Sequence, residues 1–143
     1  MNDHQSSIGR QISILHRYGQ SYISKKLETY NIGSGQYIFL LALYRNDGIS
    51  QEELSTYLKI DKATTAKAVK KLITAGYIRR DIDVSDKRAY KVFMTAKAMD
   101  VIPVVQEVIK SWENTVSGGL TEEEKRLTEE LLHKMAQNAY QFR

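Results

Sequence analysis

Between Lys62 and Lys71 the chain sets ammonium, hydroxyl and methyl side chains at helical steps, a combination suited to contact with a polyanion. Lys62, Lys67 and Lys71 can neutralise phosphates, Thr64 and Thr65 can reach phosphates or base edges, and the small Ala63 and Ala68 permit close approach. On a helical wheel Ala66, Val69, Leu72 and Ile73 take one side, and Thr64, Lys67, Ala68 and Lys71 take the other. A helix anchored by the first side can lay the second into the major groove of duplex DNA, which is about as wide as a helix with its side chains. The same residues would also suit an ordinary surface helix, because lysine is a good helix former.

A second basic group bears on that choice. Arg79, Arg80, Lys87, Arg88 and Lys91 follow directly, and residues 59–97 carry eleven Lys and Arg against four acids, a net +7 in a chain whose total is +4. A basic middle between acidic flanks is the footprint of a segment that meets nucleic acid. Arginine on a protruding tip suits the minor groove, where negative potential is focused. Asp83 and Asp86 are close enough in sequence to hold the Arg88 guanidinium extended, although an exposed ion pair there would by itself contribute under about 1 kcal/mol.

These groups need elements to hold them. Ile8, Ile12, Leu15, Tyr22 or Ile23, Leu27 and Tyr30 form the apolar stripe of a first long helix that Asn31 to Gly35 ends. Ser34 is placed to cap a second helix bearing Tyr37, Leu40, Leu41 and Tyr44. Ser50 and Glu53 have the spacing of a capping box for a short third helix, about Gln51 to Leu58, and Ser50 joins the candidate DNA contacts. Lys59-Ile60-Asp61 is a tight connection, with Asp61 as the cap of a fourth helix from Lys62, so the pair reads as a helix-turn-helix. Gly76 closes it, and Tyr77 to Ile82 and Ala89 to Met94, rich in β-branched and aromatic residues, form a β-hairpin with a charged tip. A long helix follows from Thr95 to about Ser117, in which Pro103 predicts either a kink or a later start. Thr121 and Glu124 form a capping box for a last helix bearing Leu127, Leu131, Leu132, Met135 and Ala139.

Several function classes have no residues to serve them. With 143 residues and no cysteine the chain is sized for one domain without disulfides, thiolate metal sites or a reactive thiol. His4, His16 and His133 are too scattered to suggest a metal site, and no paired nucleophile and base or phosphate loop is visible, so neither a cofactor nor an enzyme is expected. No apolar window approaches a membrane span and Met1 to Arg10 is polar, which predicts a cytoplasmic protein with no membrane partner.

Gln36-Tyr37-x-x-Leu40, Leu54-Ser55-x-x-Leu58, Leu72-Ile73-x-Ala75-Gly76-Tyr77-Ile78-x-Arg80, Asp83-x-x-Asp86-x-Arg88-Ala89 and Met94-Thr95-x-Lys97 together resemble the MarR family of bacterial and archaeal regulators over nearly the whole chain. The family often has glycine where this chain has Ala98. The resemblance implies a mainly α fold with a small β-hairpin wing, in which a winged helix-turn-helix lobe (about 34–98) is embedded in a helical dimerisation domain (about 6–30 and 99–142). It implies a homodimer reading a palindrome in double-stranded DNA, with Arg88 in the minor groove and an aspartate orienting it. It also implies a small aromatic carboxylate or phenolic effector, for which His16, Arg17, Tyr37 and Tyr44 are the candidate pocket. Repression of transcription is the expected role, and a winged helix turned protein-interaction module is the rival, distinguished by a weak salt dependence.

Overall fold

The computed structural model describes residues 7–82, 85 and 90–143. Asp83, Asp86, Lys87 and Arg88, the expected wing tip and its partners, lie outside them. In chain order the elements are α1 (Ile8–Leu27), a 3₁₀ turn (Glu28–Tyr30), α2 (Tyr37–Arg45), β1 (Ile49–Ser50), α3 (Gln51–Leu58) and α4 (Lys62–Thr74). Then come β2 (Ile78–Ile82), β3 (Tyr90–Met94), α5 (Ala96–Val116) and α6 (Glu122–Gln141). The fold is mostly helical with a small antiparallel sheet, as the sequence predicts.

The sheet has a third strand that the sequence reading lacks: its order is β1-β3-β2, with Ile49 opposite Val92, Ser50 opposite Lys91, and Ile78 to Ile82 antiparallel to Met94 to Tyr90. A two-residue strand carries no alternation to detect. Ser50 serves twice, pairing through β1 while its Oγ accepts from the Glu53 N–H (3.0 Å), so of the expected capping box the structure shows the serine half. Gly48, just before β1, has φ +81°, and a Cβ there would stand 2.9 Å from Cε1 of Phe93.

The chain divides into two compact units, residues 1–109 and 110–143. The first has the hydrophobic core: Leu27 of α1, Phe39, Leu40 and Leu43 of α2, Leu54 of α3, Val69 and Leu72 of α4, Val92 of β3, and Ile102 and Val105 of α5. One expectation fails here, and one arm of another. Ser34 does not cap α2, whose N-cap is Gln36; the Ser34 N–H instead donates to Ser24 Oγ (3.2 Å), while Gln36 Oε1 turns back to accept from the Gly33 N–H (2.9 Å). Pro103 does not delay α5, which starts at Ala96 with Thr95 Oγ1 accepting from the Ala98 N–H (3.2 Å). Pro103 is exposed, as is Met99 one turn earlier, so the hydrogen bond that proline cannot donate is missing on the wet side of the helix.

In the second unit Gly119 (φ +87°) closes the turn after α5, and Thr121 and Glu124 complete a reciprocal capping box at the head of α6. No residue of α6 is buried.

Candidate nucleic-acid interface

The α3–α4 corner is built by backbone geometry and two hydroxyls. Lys59 takes a left-handed conformation (φ 56°) that ends α3, and Ser55 Oγ donates to the Ile60 carbonyl (2.5 Å) across the turn. Asp61 then caps α4 with both carboxylate oxygens: Oδ1 accepts from the Thr64 N–H (2.7 Å) and Oδ2 from the Thr64 hydroxyl (2.8 Å). These bonds hold the Asp61 carboxyl below its ordinary pKa, the Thr64 N–H contributing most.

The buried residues of α4 are Thr65, Ala68, Val69 and Leu72, at steps of three and four. That stripe corrects the phase of the wheel. Thr65 is 0% and Ala68 3% exposed, so neither presents a side chain outward, and the Thr65 hydroxyl is spent on the Asp61 carbonyl (2.9 Å). Ala66, expected inside, is exposed. Lys62, Ala63, Thr64, Lys67 and Lys71 do face outward, and so does Lys70, which the misplaced wheel left out. The outer surface of α4 thus carries four ammonium groups. Lys62 Nζ lies 3.2 Å from Glu52 Oε1 of α3, an exposed pair of little energetic value that aligns its stem along the helix corner.

The hairpin is fastened to the end of α4. Thr95 donates through Oγ1 to the Gly76 carbonyl (2.7 Å), Lys97 Nζ to the Ala75 carbonyl (2.6 Å), and the same ammonium sits 4.5 Å from the centre of the Tyr77 ring. Tyr77 is buried, and its hydroxyl donates to the Tyr30 carbonyl (2.5 Å) at the end of the first helical segment. Burial pushes the Tyr77 phenol above its ordinary pKa, so it keeps this donor. On β2, Arg79 is exposed, pairs with Asp81 and lies over the Phe93 ring (4.4 Å), and Arg80 lies over Tyr90 (5.0 Å). Both guanidinium groups are thereby supported on aromatic faces.

The four residues expected to line an effector pocket do not line either of the two clefts described below. His16 and Arg17 are exposed on α1, where Arg17 Nη1 donates to Ser13 Oγ (2.5 Å) on its own helix; Tyr37 is half-buried against the core, and Tyr44 is exposed. A cleft of about 720 Å³ opens elsewhere, between Glu28, Asn31 and Gln36 on one wall and Lys67, Lys70 and Lys71 on the other. A smaller one, about 470 Å³, lies beside α3.

The sequence profile of the MarR family matches residues 30–89. The HTH-type transcriptional regulator YybA of Bacillus subtilis is 33% identical over 96% of this chain and 89% of its own length. Among solved structures, a MarR transcriptional regulator from Methanosarcina mazei Go1 is 45% identical with a TM-score of 0.87, covering 95% of this chain and 98% of its own. A MarR-family regulator of Listeria monocytogenes, solved in complex with a 26-mer DNA, is 28% identical with a TM-score of 0.88, covering 95% of this chain and 91% of its own.

Proposed function

The chain belongs to the MarR family of transcriptional regulators, and from that premise we propose a cytoplasmic repressor that grips a palindromic operator in double-stranded DNA as a homodimer. The observation that carries this reading is the two-sided α4: a buried stripe from Thr65 to Leu72 fixes the helix, and Lys62, Lys67, Lys70 and Lys71 face away from it. In this reading α4 enters the major groove, Ser50, Arg79 and the lysines hold phosphates, and Lys87 and Arg88, with Asp86 orienting the arginine, reach the neighbouring minor groove. Pairing of two copies is supported by α6, which buries nothing although Leu127, Leu131 and Leu132 are each nearly half exposed. The regulator acts by occupying DNA and has no catalytic step.

A small aromatic carboxylate or phenolic effector releases it. The cleft beside Lys67, Lys70 and Lys71 favours an anion there over a site at Arg17. Such a ligand must bind the DNA-free form better, since equal affinity for both forms shifts nothing.

The test is a fluorescence-anisotropy salt series on DNA recovered by genomic binding, with far-UV circular dichroism as the folding control. Arg88→Ala should weaken operator binding by roughly 1 to 3 kcal/mol per half-site, most on A·T-rich flanks. Lys71→Ala should weaken specific and non-specific DNA alike and reduce the slope of log affinity against log salt by about one. A folded Arg88→Ala protein with unchanged affinity would remove the wing from the DNA contacts, and a wild type without salt dependence would make the lobe a protein-interaction module.

A further inference from the structure

The Asp61–Thr64 pair limits what the head of α4 can say to DNA. An ionised carboxylate has no proton to give, so in the 2.8 Å contact between Thr64 Oγ1 and Asp61 Oδ2 the proton is the threonine's. A hydroxyl has one proton. With it committed inward, Thr64 offers only lone pairs outward, and Asp61 beside it offers only lone pairs as well. Both side chains are exposed, on the same outward surface as Ala63 and Lys67. Phosphate oxygens, guanine O6 and N7, and thymine O4 are all acceptors and find no partner there. The major-groove groups that do are the exocyclic amines, N6 of adenine and N4 of cytosine.

We propose that Thr64, held by Asp61 as an acceptor-only hydroxyl, is a specificity-determining residue that selects adenine or cytosine over guanine or thymine at one position of each operator half-site. The inference rests on α4 lying in the major groove, and it makes Thr64 a base reader and not a phosphate anchor. Lys62, Lys67, Lys70 and Lys71 supply attraction that is blind to sequence, while the carboxylate at the helix head penalises any register that sets it against a phosphate or a keto edge.

The experiment selects binding sites from random duplex DNA with the full-length wild type, Thr64→Val, Thr64→Ser and Asp61→Asn proteins, and sequences the products. The wild type should enrich a two-fold motif with an amino-bearing base fixed at one position per half-site. Thr64→Ser keeps the acceptor and should keep that position. Thr64→Val is close in shape but has no acceptor, and should lose the preference there while the rest of the motif stands. Asp61→Asn keeps a helix cap but brings an amide donor, so guanine and thymine should become tolerated. A second measurement needs no variant: replacing the selected adenine by purine, or the cytosine by its analogue without the 4-amino group, should weaken wild-type binding by about tenfold per half-site. The Thr64→Val protein should be indifferent to that change. An unchanged Thr64→Val motif, or wild-type indifference to the missing amino group in an otherwise enriched motif, overturns the inference and leaves the regulator reading intact. No enriched motif from folded wild type would instead overturn the sequence-specific reading itself, and this inference with it.

Discussion

α4 and α6 are written in the same amphipathic style and end in different situations. In 13 residues α4 buries Thr65, Ala68, Val69 and Leu72, whereas α6, with 20 residues and three leucines at helical spacing, buries none. Both begin with a side-chain cap, Asp61 for one and Thr121 for the other. What differs is the source of tertiary support. α4 is held by its own core and turns its charged side outward. α6 is held by local interactions, including the Arg126 contacts with Glu123 (2.5 Å) and Glu130 (3.0 Å) and the Lys125–Glu122 pair (3.2 Å), while its apolar side is open. Most helical stability in proteins comes from tertiary packing, and the proposed second copy would supply it to the open leucines. α1 repeats the contrast along its length, with Ile12 and Leu15 exposed in its first half and Ile23 and Leu27 buried in its second.

The sharpest way to break this comparison is to spoil the open face. Leu131→Asp with Leu132→Asp, or deletion of residues 1–20, should abolish dimers in light scattering, produce an unstable or aggregating protein and lower operator affinity by more than a hundredfold, because half-sites would bind singly. A folded monomer with undiminished affinity would show that α6 is simply a solvated helix. Next in size is the closed face. Leu72→Ala, at 1% exposure, should cost about 2 to 5 kcal/mol in urea unfolding, against well under 1 kcal/mol for Lys70→Ala on the same helix. A smaller effect concerns Lys70, which should behave as a phosphate contact: its loss should lower the salt slope by about one without altering the preferred sequence.

The smallest effect separates the two caps by pH. Asp61 is held below its ordinary value of 3.8 by the Thr64 N–H and hydroxyl, and Glu124 below 4.5 by those of Thr121. Carboxyls depressed on folding stabilise fully above their unfolded values, and that help fades as pH falls through the lower folded values. Thermal unfolding followed by circular dichroism should therefore lose stability below about pH 4, with part of the loss absent from Asp61→Asn and from Glu124→Gln. If both variants keep the full acid loss, the caps are not its source.

How much of this was legible depended on how many residues carried each signal. α3 was read at both ends because Ser50 and the Lys59-Ile60-Asp61 turn mark them, and the hairpin was read because its two strands are rich in β-branched and aromatic residues. The facing of α4 was misread by about one position. Only Val69, Leu72 and Ile73 among its residues are large and apolar, and three consecutive small residues, Ala63 to Thr65, with Ala66 and Ala68 beyond them, leave the phase open. A shift of one position is enough to hide Lys70 and to turn Thr65 and Ala68 outward. β1 escaped because two residues show no period, and its serine already had a role as a cap. Which of His16, Arg17, Tyr37 and Tyr44 could meet had no signal at all, since contact between side chains across helices is decided by packing and not by spacing.

Gly48 gives the hairpin a property that belongs to its future as much as to its shape. Its positive φ and the Phe93 ring 2.9 Å from where a Cβ would stand leave no room for a side chain, and Phe93 is the surface on which Arg79 rests. Any residue gained at position 48 would push first on that ring and through it on the guanidinium. Drift there cannot be silent. A lineage altering its target by single steps would find position 48 closed and the outward positions of α4 open, so in the proposed mode its DNA preference should change by exchanging side chains on a fixed helix and not by re-aiming the hairpin.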